Sequence, residues 1–101
     1  MNIEFIMAYI PRKMKEIGVD SYVISHRHFI LTPHETREID ASNEYYFLVT
    51  ADEEISIESD LGRYDNNDEG ILEQQHEHQG KLRVKNNSIS RKQIQFIQVK
   101  Y

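Results

Sequence analysis

Residues 70–86, GILEQQHEHQGKLRVKN, hold the cleanest strand in the chain and its densest cluster of chemically able side chains. Lys81-Leu82-Arg83-Val84-Lys85 alternates charged and apolar residues, the pattern of a strand with one buried face. In an extended chain residues two apart share a face, so His76 and His78 project together and Glu77 points away. Gly80 between the two halves marks a bulge or bend. Read outward from here, the text is β from Ser21 to the C-terminus. Tyr22–Ser25 and Arg27–Thr32 are rich in Val, Ile and Phe, and Pro33 ends the second. Thr36–Ile39 is short, and Ala41-Ser42-Asn43 reads as a turn. Tyr45–Thr50 (YYFLVT) is apolar on both parities and reads as a central strand buried on both sides. Glu54–Glu58 alternates with Ile55 and Ile57 inward. Residues 59–70 form a polar loop with a short paired piece at Arg63-Tyr64. Gln93–Tyr101 closes the chain, its parity changing between Phe96 and Ile97, which requires a bulge or cover on both sides.

About eight short strands at roughly ten-residue spacing predict an all-β fold, an antiparallel β-sandwich (jelly-roll-like) or small barrel. Residues 1–20 are expected to form a short N-terminal arm or helical turn, and residues 21–101 a single β-sandwich domain. Ile3, Phe5, Met7 and Tyr9 alternate as a strand would, whereas Ile3, Ile6, Met7 and Ile10 fit one helix face. Pro11 is expected to end either, with a helical turn over Lys13–Ile17 stopped by Gly18. As an apolar terminus followed by Arg12, Lys13 and Lys15, this segment reads either as an arm contacting a neighbouring subunit through Ile3, Phe5, Met7 and Tyr9, or as an edge strand.

The chain has 101 residues, 39% hydrophobic and 29% charged, which bounds it to one domain with a modest core. There is no cysteine, which excludes disulfide scaffolds, thiolate metal sites and thiol nucleophiles. Glu4 and the short apolar run ending at Pro11 do not make a signal peptide, and no run approaches the ~18 apolar residues of a membrane span. The expectation is cytoplasmic synthesis and no membrane partner. A net charge of −5 argues against nucleic acid. Glu35–Glu77 holds 14 acidic and two basic residues, whereas Lys81–Tyr101 holds six basic and no acidic ones. Such runs are either solvated strand faces or surfaces that meet between copies or partners.

Three constellations bear on chemistry. Gly70, five residues, then His76-Glu77-His78 resembles the opening of the first motif of the cupins, a β-barrel family that binds metal through that pair. The resemblance implies a divalent transition metal on His76 and His78. It covers about nine residues: the glutamate due after three or four intervening residues is replaced by Leu82 and Arg83, and the second cupin motif has no counterpart. His26-Arg27-His28 repeats the spacing. Neighbouring strands would bring four imidazoles together, and three chains would bring six nitrogens around a threefold axis, an arrangement that resembles the iron-binding tips of phage tail spikes and fibres. The bland alternative is surface histidines, with Glu77 pairing one of them or Arg83. Asp65–Gly70 spells the start of a calcium loop, but His76 stands where its bidentate glutamate belongs. No G-x-S-x-G elbow or phosphate-cradling glycine loop is present.

The order of FILTP (29–33), YYFLVT (45–50), EISIES (54–59), SDLGRYD (59–65), HEHQGKLRVKN (76–86) and FIQVKY (96–101) resembles small β-sandwich accessory proteins of tailed-phage virions: head-decoration, fibre or tail components. That resemblance implies no enzyme activity, no cofactor, a homo-oligomer, other structural proteins as partners, and residence in the virion. The expected function is a non-enzymatic structural or interaction protein. The alternative is a cupin-like metal-binding barrel using His76 and His78, and a third reading is a carbohydrate- or receptor-binding module with Tyr64 and the Asp/Asn loop as contacts.

Overall fold

A computed structural model describes residues 2–66 and 74–101. Helix α1 (Ile3–Glu16) precedes strands β1 (Val23–Leu31), β2 (Thr36–Ala51), β3 (Ile55–Ser59), β4 (Gly62–Asp65), β5 (Glu77–Asn86) and β6 (Lys92–Lys100). All pairings are antiparallel, and the sheet runs β1-β6-β2-β5-β3-β4. The pairs β1–β6, β2–β5 and β3–β4 nest inside one another, the path of a two-stranded ribbon rolled up. The fold is all-β apart from α1, as expected. Among the described residues the sheet does not close into a barrel.

Among the described residues six strands stand where about eight were expected, because two breaks read from the sequence are continuous backbone. Tyr22–Ser25 and Arg27–Thr32 merge into β1. Ala41-Ser42-Asn43 is a bulge inside the 16-residue β2 and does not end it. Ala41 pairs with Gly80 and Tyr46 with His78, so four residues of β2 lie opposite Gln79 alone. The Asp40 carboxylate accepts from the Ser42 amide at 3.2 Å, which supports the bend. Gly80, at φ 85°, supplies the matching bend in β5, where a side chain would be strained.

This bend folds the sheet over itself. Residues Thr36–Ala41 pair only with β5, and Glu44–Ala51 pair with β6. The two wings enclose an inner core of Leu31, Tyr46, Leu48, Ile94 and Phe96 on one side and Ile55, Ile57, Leu82 and Val84 on the other. Asn86 fastens the wings at one end: its buried amide donates to the carbonyls of Leu31 (3.2 Å), Thr32 (3.0 Å) and Ser90 (2.8 Å). Its Oδ1 accepts from the backbone and hydroxyl of Ser88. Arg37 adds a second tie, donating to the Ile30 carbonyl at 3.3 Å with its guanidinium 5.3 Å from the Phe29 ring.

A second core lies on the outer face. Tyr45, Phe47, Val49, Ile97 and Val99 receive Ile6, Ile10 and Met14 of α1. YYFLVT is therefore buried on both sides, as its composition predicts, and so is β6, whose parity change reflects cover on both faces.

The N-terminal segment is neither free arm nor edge strand. It is a 14-residue helix docked on the domain's own sheet. The Asn2 side chain caps it, accepting from the Glu4 amide at 2.7 Å, with Glu4 in the positive first turn and Lys13 and Lys15 in the last. Pro11 does not end it. Pro11 sits on the exposed side, so the Met7 carbonyl it deprives of a partner faces solvent. Gly18 (φ 76°) does end it: Val19 N–H bonds to Met14 O at 2.8 Å and Gly18 N–H to Lys15 O at 3.1 Å, the two bonds of a Schellman stop.

Candidate functional site

Strand β5 sends successive residues to opposite layers. His78 pairs with Tyr46 and enters the inner core, fully buried. Its Nδ1 lies 2.7 Å from the Ser59 hydroxyl, which also accepts from the Leu61 amide at 3.3 Å. Its Nε2 is buried with no hydrogen-bond partner among the described residues. Burial, with a smaller push from His76, holds the His78 imidazole down at about 4, so it is neutral at physiological pH. His76 is half-buried, edge-on to the Tyr64 ring at 5.4 Å, and burial lowers it in the same direction. The Tyr64 hydroxyl is turned to Asn66 Oδ1 at 3.2 Å.

Glu77 points the other way and meets α1. Its Oε1 is 3.5 Å from Lys13 Nζ and its Oε2 accepts from the Tyr9 hydroxyl at 3.5 Å. It pairs neither with a histidine nor with Arg83, the two partners its sequence neighbourhood suggested. Burial pushes the Lys13 ammonium down, but Glu77 together with Tyr9 and Tyr45 pushes it up by more, so it is raised overall. Tyr9 is raised by burial and then by Glu77.

His26 and His28 do not join this cluster. They lie on edge strand β1, separated from β5 by β6 and β2, with Nε2 atoms 3.1 Å and 2.8 Å from the amides of Gln95 and Gln93. His26 pairs with Ile97 on the outer face, whereas His78 faces inward. Among the described residues no group of three or more His, Cys, Asp or Glu side chains stands close enough to hold a metal. His76 and His78 thus form a two-imidazole set. His78 has one ring nitrogen held by Ser59 and the other without a hydrogen-bond partner among the described residues, but these residues supply no third donor for a metal. Of the calcium-like loop, Asp65 lies 3.6 Å from Arg63, and Asn66 donates to the carbonyls of Ala51 and Asp52. Its remaining residues, 67–70, lie outside the described residues.

Part of the charge asymmetry of the sequence is met within one chain. The register aligns Glu38, Arg83, Glu58 and Arg63 in one row across four strands, and Asp40 beside Lys81 in the next. Arg83 bonds Glu38 at 3.0 Å, and Arg63 lies 3.8 Å from Glu58. This alternating face lines an open groove of about 690 Å³ that also includes Ser59 and Asp60. In this row acidic and basic residues of the two runs face each other across strands.

The helix is different. Ile3, Phe5 and Met7 are 45%, 60% and 43% exposed, while Tyr9 is half-buried against Phe47. Because these residues sit on a helix, they do not share one face. Phe5 stacks on Tyr9 at 6.2 Å on one flank, and Ile3 and Met7 occupy the other.

No family model, curated protein or solved structure matches this chain.

Sequence reasoning singled out His78 but not its partner Ser59, although extending the Ile55–Ile57 alternation by one step places Ser59 inward. It missed Lys13 as the partner of Glu77, since nothing local links residues 64 positions apart. It also missed Gln98, buried against Tyr46 OH (3.1 Å), Glu44 (2.9 Å) and Arg27 (3.4 Å), for the same reason.

Proposed function

We propose that this chain is a non-enzymatic component of a larger assembly and that the N-terminal half of α1 is its contact surface. One observation carries the reading. Residues 3–10, IEFIMAYI, are apolar nearly all round, a composition that belongs to a helix covered on every side. The sheet covers only Ile6, Ile10 and part of Tyr9, leaving Ile3, Phe5 and Met7 in solvent. Virion accessory proteins of tailed phages, which the order of the β segments resembles, are the class of assembly this reading favours. The test is a photo-cross-linking residue at Phe5 in the producing cell, with the exposed strand residue Lys85 as control. Covalent adducts with another macromolecule from position 5 and none from position 85 are expected. A chain that gives no adduct from position 5 overturns the proposal.

A second reading, a metal-binding protein using His76 and His78, is favoured by the unclaimed Nε2 of His78. Its test is elemental analysis of the purified protein: near-stoichiometric transition metal that is lost in His78→Asn supports it, and a metal-free protein removes it.

A further inference from the structure

We infer that the surface covering α1 is a second copy of this chain, bound as an antiparallel helix pair about a twofold axis near Ala8. The inference rests on the reading of α1 as a contact surface and names its occupant.

Glu4, Ala8, Arg12 and Lys15 form one exposed stripe, at spacings of four, four and three residues, on the side of α1 opposite Ile6, Ile10 and Met14. Three features of this stripe fit a twofold antiparallel partner. Ala8 at its middle has no bulk beyond a methyl, so two helices can approach closely there. The charge reverses along it, with Glu4 at the start and Arg12 and Lys15 toward the end. An antiparallel copy centred on Ala8 brings each Glu4 within reach of the other helix's Arg12 and Lys15. Phe5 flanks the stripe and comes opposite the Pro11–Arg12 end of the copy, where a guanidinium can lie on its ring.

Some outward-facing charges elsewhere are matched within the chain: Arg83 with Glu38, Arg63 with Glu58, Lys100 with Glu44 and Arg37 with Glu35. Glu4, Arg12 and Lys15 have no ion-pair partner among the described residues. The free edge of β1 is blunted against the same kind of association. Its centre is His26-Arg27-His28, and twofold edge pairing in either central register sets Arg27 against Arg27 or His26 against His26.

The absence of cysteine makes the test clean. Light scattering of the purified wild-type protein should give a dimer whose dissociation constant rises at least tenfold in Glu4→Arg, and likewise in Arg12→Glu/Lys15→Glu. Combining all three substitutions should restore it, which a merely misfolded variant would not do. Ala8→Cys, lying on the proposed axis, should oxidise to a disulfide-linked dimer, and Lys85→Cys should not. A wild-type protein that stays monomeric at high concentration, or charge reversals that neither weaken nor rescue association, overturns the inference. Adducts from Phe5 to a different macromolecule in the cell, with a monomer in solution, would reject the second copy while leaving α1 as the contact surface.

Discussion

Burying His78 makes the stability of this protein depend on pH in a way that can be calculated. The imidazole falls from its ordinary 6.5 to about 4 on folding. The unfolded chain therefore binds the proton more tightly, and stability rises with pH between those values. The contribution is complete above about pH 6.5 and is lost as pH falls through 4. At about 1.4 kcal/mol per pH unit, the loss is about 2 kcal/mol at pH 5 and about 3 kcal/mol at pH 4. Carboxylates such as Glu35, held below the usual range by bonds from Thr32 and Arg37, also contribute stability that is lost in acid, so the effect must be isolated by difference. Urea unfolding of the wild type and of His78→Asn, which keeps an amide near the Nδ1 position facing Ser59, should be followed from pH 4 to 7.5. The stability gap between the two should narrow or reverse by about 3 kcal/mol toward pH 4. A gap that stays constant across the range would show that His78 is not a buried neutral imidazole.

Gly80→Ala should lose about 2–3 kcal/mol, because its new methyl meets the Asp60 carboxylate and φ stays at 85°. Asp60→Ala in the same chain should recover all but about 1 kcal/mol, and a cost of Gly80→Ala unchanged by Asp60→Ala would refute the collision. Asn86→Ala leaves the Leu31, Thr32 and Ser90 carbonyls and the Ser88 donors without their partner and should cost about 3 kcal/mol by urea unfolding. A cost under about 1 kcal/mol would mean that water replaces these bonds and that the wings are not fastened there. Pro11→Ala should raise stability by about 1–2 kcal/mol, less than the full helix-interior penalty, because the Met7 carbonyl is already solvated and proline restricts the unfolded chain. An unchanged melting temperature would place the end of the helix before Pro11.

Periodicity was enough to read what depends on neighbours two apart. YYFLVT, the parity change in β6, the bulge at Gly80 and the inward Ile55–Ile57 pair all appear where alternation puts them. It failed where tertiary cover overrides local chemistry. Ala41-Ser42-Asn43 has turn composition, yet pairing with β5 before it and with β6 after it makes it a bulge within one strand. Residues 3–9 satisfy both a two-residue and a helical period, and docking on Phe47 and Ile97 decides between them. Within the candidate site, the opposed directions of His78 and Glu77 were legible, whereas their partners Ser59 and Lys13 were not. Those contacts span 19 and 64 positions and depend on strand order and helix placement, neither of which is written in a local pattern.

Adjacent Glu77 and His78 also make segment 77–79 intolerant of length change. Adding or deleting a single residue there would exchange their faces, driving a carboxylate among Leu82, Tyr46 and Ile57 and stranding an imidazole beneath Lys13. Both outcomes remove the ion pair that seats the helix and place an uncompensated group in an apolar interior. Natural variation in this protein should therefore substitute residues freely along the outer rows of the sheet, while insertions and deletions avoid the three positions before Gly80.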